Sequence, residues 1–475
     1  MGLIIAGERS GVGKTTITLS LLASLGKQGR SVQAFKVGPD YIDPMFHASV
    51  TGRACRNLDP VLTSPDYVRS CYSKHSQSAE CSIVEGVMGL FDGLPYNRQS
   101  SYPFFSSTAH IARLLDLPVI LVLDCSGTSG SIAAIARGCQ SLDPELNIAG
   151  AILNRVASNR HQEALEAALE AIELPIMGVF HKESGMRIPD RHLGLIPTAE
   201  LPQFKRILGR LARAGENNFD WDKLNPLLTA QPTDGAGTPA QPATIATPKP
   251  KVRLAIAQAP AFSFYYADNL EILQELGVEL LPWNPLSDRS LPLSIHGLYF
   301  GGGFPEVFAQ QLSENYLARA AVRQAILGGM PTYAECGGLM YLCKTVTTFE
   351  GDILDMVGIV PSDAVMGEQL TLGYRKATVL NPSPVVQTET TLYGHEFHRS
   401  QLTTPHPAPE GGNGVVPLFE LSKCYGEALP ALEGWQMHNI HASYLHLHWG
   451  DRPEIPQRFV QQMLDYSNRA VSTTK

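Results

Sequence analysis

The sequence lacks the features of membrane-spanning, secreted and zinc-binding proteins. No run approaches the ~20 consecutive apolar residues that a membrane-spanning helix requires, and no basic residue precedes the short apolar run at the start, so we expect neither a membrane span nor a signal peptide. The eight cysteines show no CxxC spacing, which argues against a zinc site and a disulfide framework. These absences predict a cytoplasmic protein.

Positive charge is also scarce. The chain has 37 Lys and Arg residues against 45 Asp and Glu residues, a net charge of −8, so we do not expect it to bind nucleic acid through bulk positive charge. A local basic pocket for a small anion is compatible with this balance. With 44% hydrophobic and 17% charged residues over 475 positions, the composition is that of a globular protein with about two to four domains.

The clearest change in composition lies in the middle of the chain. Residues 229–250 are rich in Pro, Ala and Thr, and Ile245 is the one large aliphatic residue after Thr229. Such a segment buries too little apolar surface to offset its ordering entropy and is typical of an extended linker. We therefore predict one domain at 1–228 and a second at 251–470.

Both predicted domains alternate short apolar runs with longer amphipathic stretches. Apolar runs of this length separated by helices are typical of buried parallel strands, so we predict an α/β fold for each half. The predicted strands cover 3–7, 31–38, 81–86, 118–125 and 148–156 in the first half, and 252–258, 298–303 and 331–338 in the second.

A glycine-rich loop follows the first predicted strand and precedes a predicted helix. Gly11 and Gly13 let backbone amides converge on phosphate oxygens, Lys14 adds a positive charge, and Thr15 offers a hydroxyl to Mg²⁺. Glu8 stands where the usual pattern has glycine, so the loop is a variant. In this context it predicts ATP binding.

Four carboxylates lie just beyond other predicted strands. Asp40, Asp43, Glu85 and Asp92 would meet at the carboxyl edge of a parallel sheet, where ligands bind. A cation that bridges phosphates needs one or two carboxylates, so Asp43 and Glu85 with Thr15 form the candidate Mg²⁺ site. The alternative is that Asp40 and Asp43 shape a Pro-rich turn and Asp92 a turn before glycine.

Two further groups of the first half have open roles. Asn154 ends a predicted strand and either contacts the adenine edge or lies in an ordinary turn. Arg187, Arg191 and His192 form a local cationic cluster. They either bind substrate carboxylates or belong to a solvated loop.

The second half contains a candidate nucleophile. Cys336 follows a predicted strand and precedes two glycines, a sharp turn that exposes a thiol beside a helix N-terminus and lowers the thiol pKa. Gly302 and Gly303, after a neighbouring strand, can supply amides to an oxyanion hole. Three histidines near the C-terminus are candidate bases: His441, His446 and His448.

Each of these residues also has a structural alternative. A buried cysteine is most often inert packing, which we expect of Cys343, whereas the flanking glycines favour a catalytic Cys336. The histidines lack a cysteine or carboxylate nearby to complete a metal site. The second histidine pair, in 394–400, is expected in a strand without a catalytic role.

A nucleotide site joined to an activated thiol indicates a two-step enzyme. The thiol would attack the side-chain amide of glutamine and release ammonia, leaving a thioester that water hydrolyses. The other domain would transfer a phosphoryl group from ATP to a carboxylate. Ammonia would then displace phosphate from this acyl phosphate, and both intermediates need shielding from water.

The motifs resemble a known family over the whole chain except the linker. AGERSGVGKTTIT, FKVGPDYIDP, RNLDP, VEGVMGLFDG and DRHLGL resemble the cobyrinic acid a,c-diamide synthase family. YFGGGFPE, AECGGLMYL, GHEFHRS and SYLHLH resemble its cobyrinic-acid-type class I glutamine amidotransferase domain. The resemblance implies an N-terminal P-loop NTPase-like domain, similar to dethiobiotin synthetase, and a C-terminal amidotransferase-like α/β domain.

The resemblance also implies an activity: ATP- and Mg²⁺-dependent amidation of the a and c carboxylates of a corrinoid, with glutamine as nitrogen donor, in cobalamin biosynthesis. It assigns the nucleophile to Cys336 and the base to His446. Many class I amidotransferases have a Glu two residues after this histidine, but here that position is His448, so a dyad is expected. The implied phosphate-activating carboxylates are Asp40, Asp43, Glu85 and Asp92.

Two alternatives to this activity stay open. The substrate can be another tetrapyrrole, either hydrogenobyrinic acid or nickel sirohydrochlorin. A nucleotide-dependent partitioning or regulatory protein with an inactive amidotransferase domain is the rival from a different class. No nucleic-acid or membrane partner is expected, and the oligomeric state is open, with a homodimer as one alternative.

Overall fold

A computed structural model of the chain describes residues 2–94, 102–182, 188–191, 194–201, 203–229, 252–404, 414–425 and 429–473. The described residues form two compact units, the first from 2 to 229 without 61–63, and the second from 252 to 473 with 61–63. The predicted linker lies outside the described residues apart from Thr229. Within these ranges no helix has the length and apolar character needed to cross a membrane.

In the described residues, the first unit contains a seven-stranded sheet and a two-stranded hairpin. All neighbouring strands of the large sheet are parallel, in the order β3-β2-β4-β1-β5-β6-β7. The strands are β1 (Gly2–Gly7), β2 (Val32–Val37), β3 (Arg56–Leu58), β4 (Cys81–Glu85), β5 (Val119–Asp124), β6 (Ile148–Val156), β7 (Ile176–His181), β8 (Asp190–Arg191) and β9 (Gly194–Leu195).

The first six helices of this unit connect successive parallel strands, and the last two follow β9. The bounds are α1 (Lys14–Lys27), α2 (Ile42–Thr51), α3 (Pro65–Ser76), α4 (Thr108–Leu115), α5 (Ile132–Leu142), α6 (Asn159–Glu170), a 3₁₀ turn (Thr198–Glu200), α7 (Phe204–Asn218) and α8 (Trp221–Thr229).

The strand order brings the predicted phosphate site together. β2, β4 and β1 are adjacent and parallel, so the segments that follow them leave the same edge of the sheet. The strands themselves are fully buried and mostly apolar, as is typical of parallel sheets, and Lys36 in β2 and Glu85 in β4 are charged exceptions. The predicted parallel α/β architecture of this half is confirmed.

The second unit contains, in its described part, an eleven-stranded mixed sheet. Its order is β11-β10-β12-β13-β20-β19-β18-β16-β14-β15, and β17 pairs with β16. The strands are β10 (Val252–Ala257), β11 (Val278–Trp283), β12 (Gly297–Phe300), β13 (Thr332–Glu335), β14 (Thr345–Thr347), β15 (Ile353–Asp355), β16 (Ala364–Val379), β17 (Thr391–Leu402), β18 (Val416–Lys423), β19 (Ala431–Met437) and β20 (Ile440–Ser443).

The sheet has a parallel half and an antiparallel half. β11, β10, β12, β13 and β20 run parallel, whereas β20, β19, β18, β16 and β17 pair antiparallel. The predicted α/β class is correct for this unit, and the antiparallel extension was not predicted. The helices are α9 (Ala267–Glu275), α10 (Ala309–Glu314), α11 (Tyr316–Leu327), α12 (Gly337–Leu342) and α13 (Glu454–Thr473).

The turn between β13 and α12 is sharp. Cys336 is its single intervening residue. A Cβ atom at Gly338 would lie 2.5 Å from the carbonyl oxygen of Phe300 in β12. Only glycine therefore lets the start of α12 pack this closely against β12, which places the nucleophile turn beside the loop that follows β12.

Candidate active sites

The glycine-rich loop closes around the N-terminus of α1. Gly11 and Gly13 adopt positive φ angles of 77° and 96°, and Gly13 is the residue before the helix. Within the described residues α1 has no acidic residue in its first turn and no side-chain cap. Its first amides are therefore available to an anion, as in phosphate-binding helix N-termini.

Lys14 is folded back into this loop. Its Nζ donates to the carbonyl oxygens of Arg9, at 3.3 Å, and Met88, and the side chain is buried. Burial, followed by repulsion from Lys36, lowers the pKa of Lys14 to about 8. A phosphate group beside this ammonium would favour its charged form, so the loop matches an anionic ligand.

Ion pairs of two exposed arginines with the buried Asp124 carboxylate clamp the loop to the sheet. The Asp124 carboxylate accepts hydrogen bonds from Arg9 Nη2 at 2.7 Å and Arg155 Nη1 at 2.6 Å. Arg155 Nη2 also donates to the Gly11 carbonyl at 2.9 Å. Asp124 and Arg155 were not predicted from the sequence, although Asp124 ends β5 and Arg155 is the second-last residue of β6.

Asn154 supports the same loop. Its Nδ2 donates to the Val12 carbonyl at 2.7 Å, and a Cβ at Gly13 would lie 2.5 Å from that nitrogen. The side chain therefore packs under the loop and helps to set its path. Recognition of the adenine base by Asn154 stays a prediction.

The hydroxyl and carboxylates predicted to hold Mg²⁺ converge. Thr15 Oγ1 lies 2.7 Å from Glu85 Oε1 and 3.3 Å from Asp43 Oδ2. Lys36 Nζ donates to Asp43 at 2.7 Å and to Glu85 at 2.9 Å. The other oxygen of Glu85 accepts from His47 Nε2 at 2.7 Å. These five side chains form one network, which we call the carboxylate cluster.

The pKa values of the two carboxyl groups in this cluster are shifted in opposite directions. Burial raises the pKa of Asp43 to about 8, although Lys36 opposes the shift. Burial also disfavours the charge of Glu85, but Lys36 and His47 hold its pKa below the ordinary value. Likewise Asp43 and Glu85 hold the pKa of Lys36 above its ordinary value against the effect of burial. The oxygen donors of Thr15, Asp43 and Glu85 are of the type Mg²⁺ prefers, so the cluster fits that ion.

Asp40 and Asp92 are not members of the carboxylate cluster. Asp40 Oδ1 accepts the Ile42 amide at 2.8 Å, and its Oδ2 is 4.0 Å from Lys36 Nζ, so it both shapes the turn and faces the cluster. Asp92 accepts the Gly89 amide at 2.8 Å and is exposed. The turn-forming role considered for Asp92 is therefore present, and a role in phosphoryl transfer stays a prediction.

The predicted cationic cluster is largely outside the described residues. Arg187 and His192 fall there, and only the backbone of Arg191, in β8, is described. Their binding of substrate stays a prediction.

In the second unit, Cys336 has the backbone of a strained turn. Its φ and ψ are 48° and −101°, a conformation that costs of order 1–3 kcal/mol and clusters at functional sites. Its amide donates to the Ser443 carbonyl of β20 at 2.7 Å, and its carbonyl accepts the Met340 amide at 3.0 Å. The buried sulfur is thus held at the junction of β13 and α12.

His446 is the histidine beside this sulfur. Burial opposes its charge, yet hydrogen bonds with Cys336 and Glu335 raise the pKa of His446 to about 10. Its Nδ1 is 3.8 Å from Glu335 Oε2, and its backbone exchanges hydrogen bonds of 2.9 and 3.1 Å with His395 in β17. The imidazole is therefore fixed between the thiol and an acid.

The other two candidate bases have different neighbours. His441 Nδ1 lies 2.9 Å from Ser383 Oγ, and burial lowers the pKa of His441 to about 3. His448 Nε2 lies 3.7 Å from Asp268 Oδ2. The structure thus brings Cys336 together with His446, and the catalytic role of this pair stays a prediction.

The predicted oxyanion-hole glycines lie against His446 and against the residue that follows Cys336. A Cβ at Gly302 would meet His446 Cε1 at 2.7 Å, and one at Gly337 would lie 3.0 Å from the Gly303 amide nitrogen. A Cβ at Gly303 itself would come within 2.2 Å of the Ala261 carbonyl. The loop after β12 therefore approaches the thiol through backbone alone, as an oxyanion hole requires.

Besides Asp124, three buried charged or titratable residues at these sites were not predicted from the sequence: Lys36, His47 and Glu335. Lys36 lies inside β2 and Glu335 ends β13, and both strands are fully buried. A charge in such a strand requires a partner, because an unpaired buried charge is very costly. A charged residue in such a strand was therefore the feature of the sequence that indicated a buried partner.

Comparison with known proteins finds a family match in each half of the chain. Residues 3–196 match the model of the CobQ/CobB/MinD/ParA nucleotide binding domain, and residues 253–454 match the CobB/CobQ-like glutamine amidotransferase domain. The cobyrinate a,c-diamide synthase of Synechococcus sp. is 54% identical over 97% of this chain and 98% of the relative. That of Synechocystis sp. is 48% identical over 99% and 95%.

A relative with a different named substrate is more distant. The hydrogenobyrinate a,c-diamide synthase of Streptomyces coelicolor is 38% identical over 97% of both chains. With such identities over nearly the full length, and both domain models matched, this chain belongs to the cobyrinate a,c-diamide synthase family.

Proposed function

We propose that this chain is a glutamine-dependent amidoligase that converts the a and c side-chain carboxylates of cobyrinic acid to amides in cobalamin biosynthesis, in the cytoplasm, with ATP as co-substrate. The observation that carries the proposal is the contact of His446 with Cys336 on a strained turn, in a chain whose other unit holds a phosphate loop beside paired carboxylates.

The second unit supplies nitrogen. His446 takes the proton of the Cys336 thiol, and the thiolate attacks the side-chain carbonyl carbon of glutamine. The amides of Gly302 and Gly303 stabilise the oxyanion of the tetrahedral intermediate. His446 then returns the proton to the departing nitrogen, so ammonia leaves and a thioester forms. Water cleaves the thioester, which releases glutamate and restores the thiol.

The first unit activates the acid. The α1 N-terminus and Lys14 bind the triphosphate, and a substrate carboxylate oxygen attacks the γ-phosphorus, which yields ADP and an acyl phosphate. Ammonia adds to the acyl carbon and phosphate leaves, giving the amide. Arg187, Arg191 and His192 are proposed to bind the remaining carboxylates of the substrate. Asn154 is proposed to contact the base, and Asp40 and Asp92 to assist phosphoryl transfer.

Thr15, Asp43 and Glu85 are the residues proposed to hold Mg²⁺. The ion, when bound, would neutralise charge on the phosphate oxygens. Lys36 now occupies the space between Asp43 and Glu85 as their counter-charge. Its hydrogen bonds to both side chains hold Asp43 and Glu85 together.

Substitution of the thiol separates the two half-reactions. Cys336→Ala should abolish glutamine-dependent amidation and leave amidation with ammonium salt, because only the nitrogen source is lost. Lys14→Ala should stop product formation with either source, since no phosphoryl transfer occurs. Mass spectrometry of the corrinoid counts the amides formed. Equal loss with both nitrogen sources in Cys336→Ala would refute its role.

The same assay tests the substrate. Cobyrinic acid, hydrogenobyrinic acid and nickel sirohydrochlorin are each offered with ATP and glutamine. Cobyrinic acid should give the highest kcat/KM and two amides per molecule. A preference for another tetrapyrrole would replace the substrate and leave the reaction unchanged. Absence of glutamate release with ATP and every tetrapyrrole would favour the regulatory-protein alternative instead.

A further inference from the structure

Glu335 is a buried carboxylate with a fixed orientation. It is the last residue of β13, immediately before Cys336, and is 1% exposed. Its Oε1 accepts the hydroxyl of Tyr333 and the amide of Leu447, the latter at 3.0 Å. Those two bonds hold one carboxylate oxygen in place and turn the other, Oε2, toward His446.

The second oxygen of Glu335 faces the catalytic base. Oε2 lies 3.8 Å from His446 Nδ1, and both side chains are 1% exposed. At this distance in a site shielded from water, a carboxylate strongly favours the protonated imidazole. The other titratable groups that face His446 are Cys336 and His395, and neither is a carboxylate.

The other buried acids of this unit that could be considered as partners of His446 are placed differently. His448, at the position where many class I amidotransferases have glutamate, lies near Asp268. Glu433 is buried too, but it accepts hydrogen bonds from Ser443 Oγ at 2.6 Å and the Tyr444 amide at 2.7 Å. Among the described residues, Glu335 is the carboxylate with an ion-pair distance to the imidazole of His446.

We propose that Glu335 is the positioning residue of the amidotransferase site: it orients His446 through Nδ1, leaves Nε2 for the Cys336 sulfur, and stabilises the imidazolium formed when the thiol loses its proton. The acid of the triad is then supplied from the residue before the nucleophile. This proposal rests on the proposed function, because it requires a glutamine-hydrolysing thiol.

The test replaces only the charge of Glu335. Glu335→Gln keeps an oxygen for the Tyr333 hydroxyl and the Leu447 amide but removes the anion facing His446. We expect kcat for glutamate release to fall about 10²-fold or more, as when a base loses its orienting acid, with KM for glutamine changed little. Amidation with ammonium salt should remain at the wild-type rate, which shows an intact fold.

A second readout follows the thiolate directly. Iodoacetamide labels Cys336 at a rate proportional to its ionised fraction, and mass spectrometry of that peptide separates it from the other cysteines. In Glu335→Gln the midpoint of the rate against pH should move upward, because the imidazolium partner is destabilised. The matched control is Glu433→Gln, a buried acid of the same unit, which should keep the wild-type midpoint and kcat.

The outcomes are distinct. Wild-type kcat and labelling midpoint in Glu335→Gln would overturn the proposal, as would equal losses of kcat in Glu335→Gln and Glu433→Gln with an unchanged midpoint. No glutamate release by the wild-type enzyme would instead refute the proposed function.

Should Glu335→Gln not fold, ¹⁵N-histidine spectra of the wild type decide, with His446→Gln for assignment. His446 should carry a proton on Nδ1 throughout pH 6–9, and an unprotonated Nδ1 would overturn the proposal.

Discussion

Replacement of Lys36 by methionine tests the physical basis of the carboxylate cluster. Lys36 is 3% exposed and donates to Asp43 at 2.7 Å, Glu85 at 2.9 Å and the Gly86 carbonyl at 3.2 Å. Methionine has a similar length and no charge. The variant therefore keeps the packing of β2 but leaves two buried carboxylates without their cation.

The expected cost follows from burial. Removal of one partner of a buried ion pair costs about 3–5 kcal/mol, because the remaining charge stays desolvated. For a unit of this size, 1 kcal/mol corresponds to roughly 2–4 °C in melting temperature, so we expect Lys36→Met to lower it by about 6–20 °C.

Lys27→Met is the matched control. Lys27 lies 2.7 Å from Glu216 in the same unit, a spacing equal to that between Lys36 and Asp43, but its side chain is 56% exposed. Exposed pairs contribute about 0–1 kcal/mol, so this variant should shift the melting temperature by less than about 4 °C. Scanning calorimetry of both variants without Mg²⁺ measures the difference. Equal shifts would refute the argument that burial sets the cost.

Two further predictions concern the second unit. Burial, followed by the charge of Glu396, raises the pKa of Glu433 to about 8 from an ordinary 4.5; because the folded protein binds this proton more tightly than the unfolded chain, stability is lost as the pH rises through that interval. The melting temperature of Glu433→Gln relative to wild type should therefore increase between pH 5 and pH 9, and a constant difference would contradict this. Gly302→Ala places a Cβ 2.7 Å from His446 Cε1, so glutamine hydrolysis should fall while ammonium-dependent amidation persists. Gly367→Ala, whose Cβ meets nothing nearer than 3.6 Å, is the control, and equal rates in the two variants would count against the steric argument.

The phosphate site was predictable because local signals and topology agree there. The strand before Gly11 and the helix after Gly13 follow from apolar runs and periodicity, and parallel strands bring their carboxyl ends to one edge. Thr15, Asp43 and Glu85 therefore meet as expected. The approach of the Cys336 turn to the loop after β12 followed from the same reasoning.

The partners inside the strands were harder to predict. Lys36 and Glu335 interrupt apolar strands, and the sequence indicates that each needs a counter-group without naming it. Which group it is depends on pairings between distant segments, such as β13 with β20, whose register places His446 near Glu335. Among the antiparallel strands, β17 contains the strand expected at 394–400, whereas β16, β18 and β19 were missed, since their neighbours are set by long-range pairing and not by local periodicity.

The predicted nucleophile and its predicted base are attached to neighbouring strands of one ladder. β13 ends one residue before Cys336, β20 ends three residues before His446, and the Cys336 amide donates across this ladder to Ser443. The position of the sulfur relative to the imidazole is thus set by the register of β13 and β20. Changes in the surrounding loops should therefore leave the alignment of Cys336 with His446 intact.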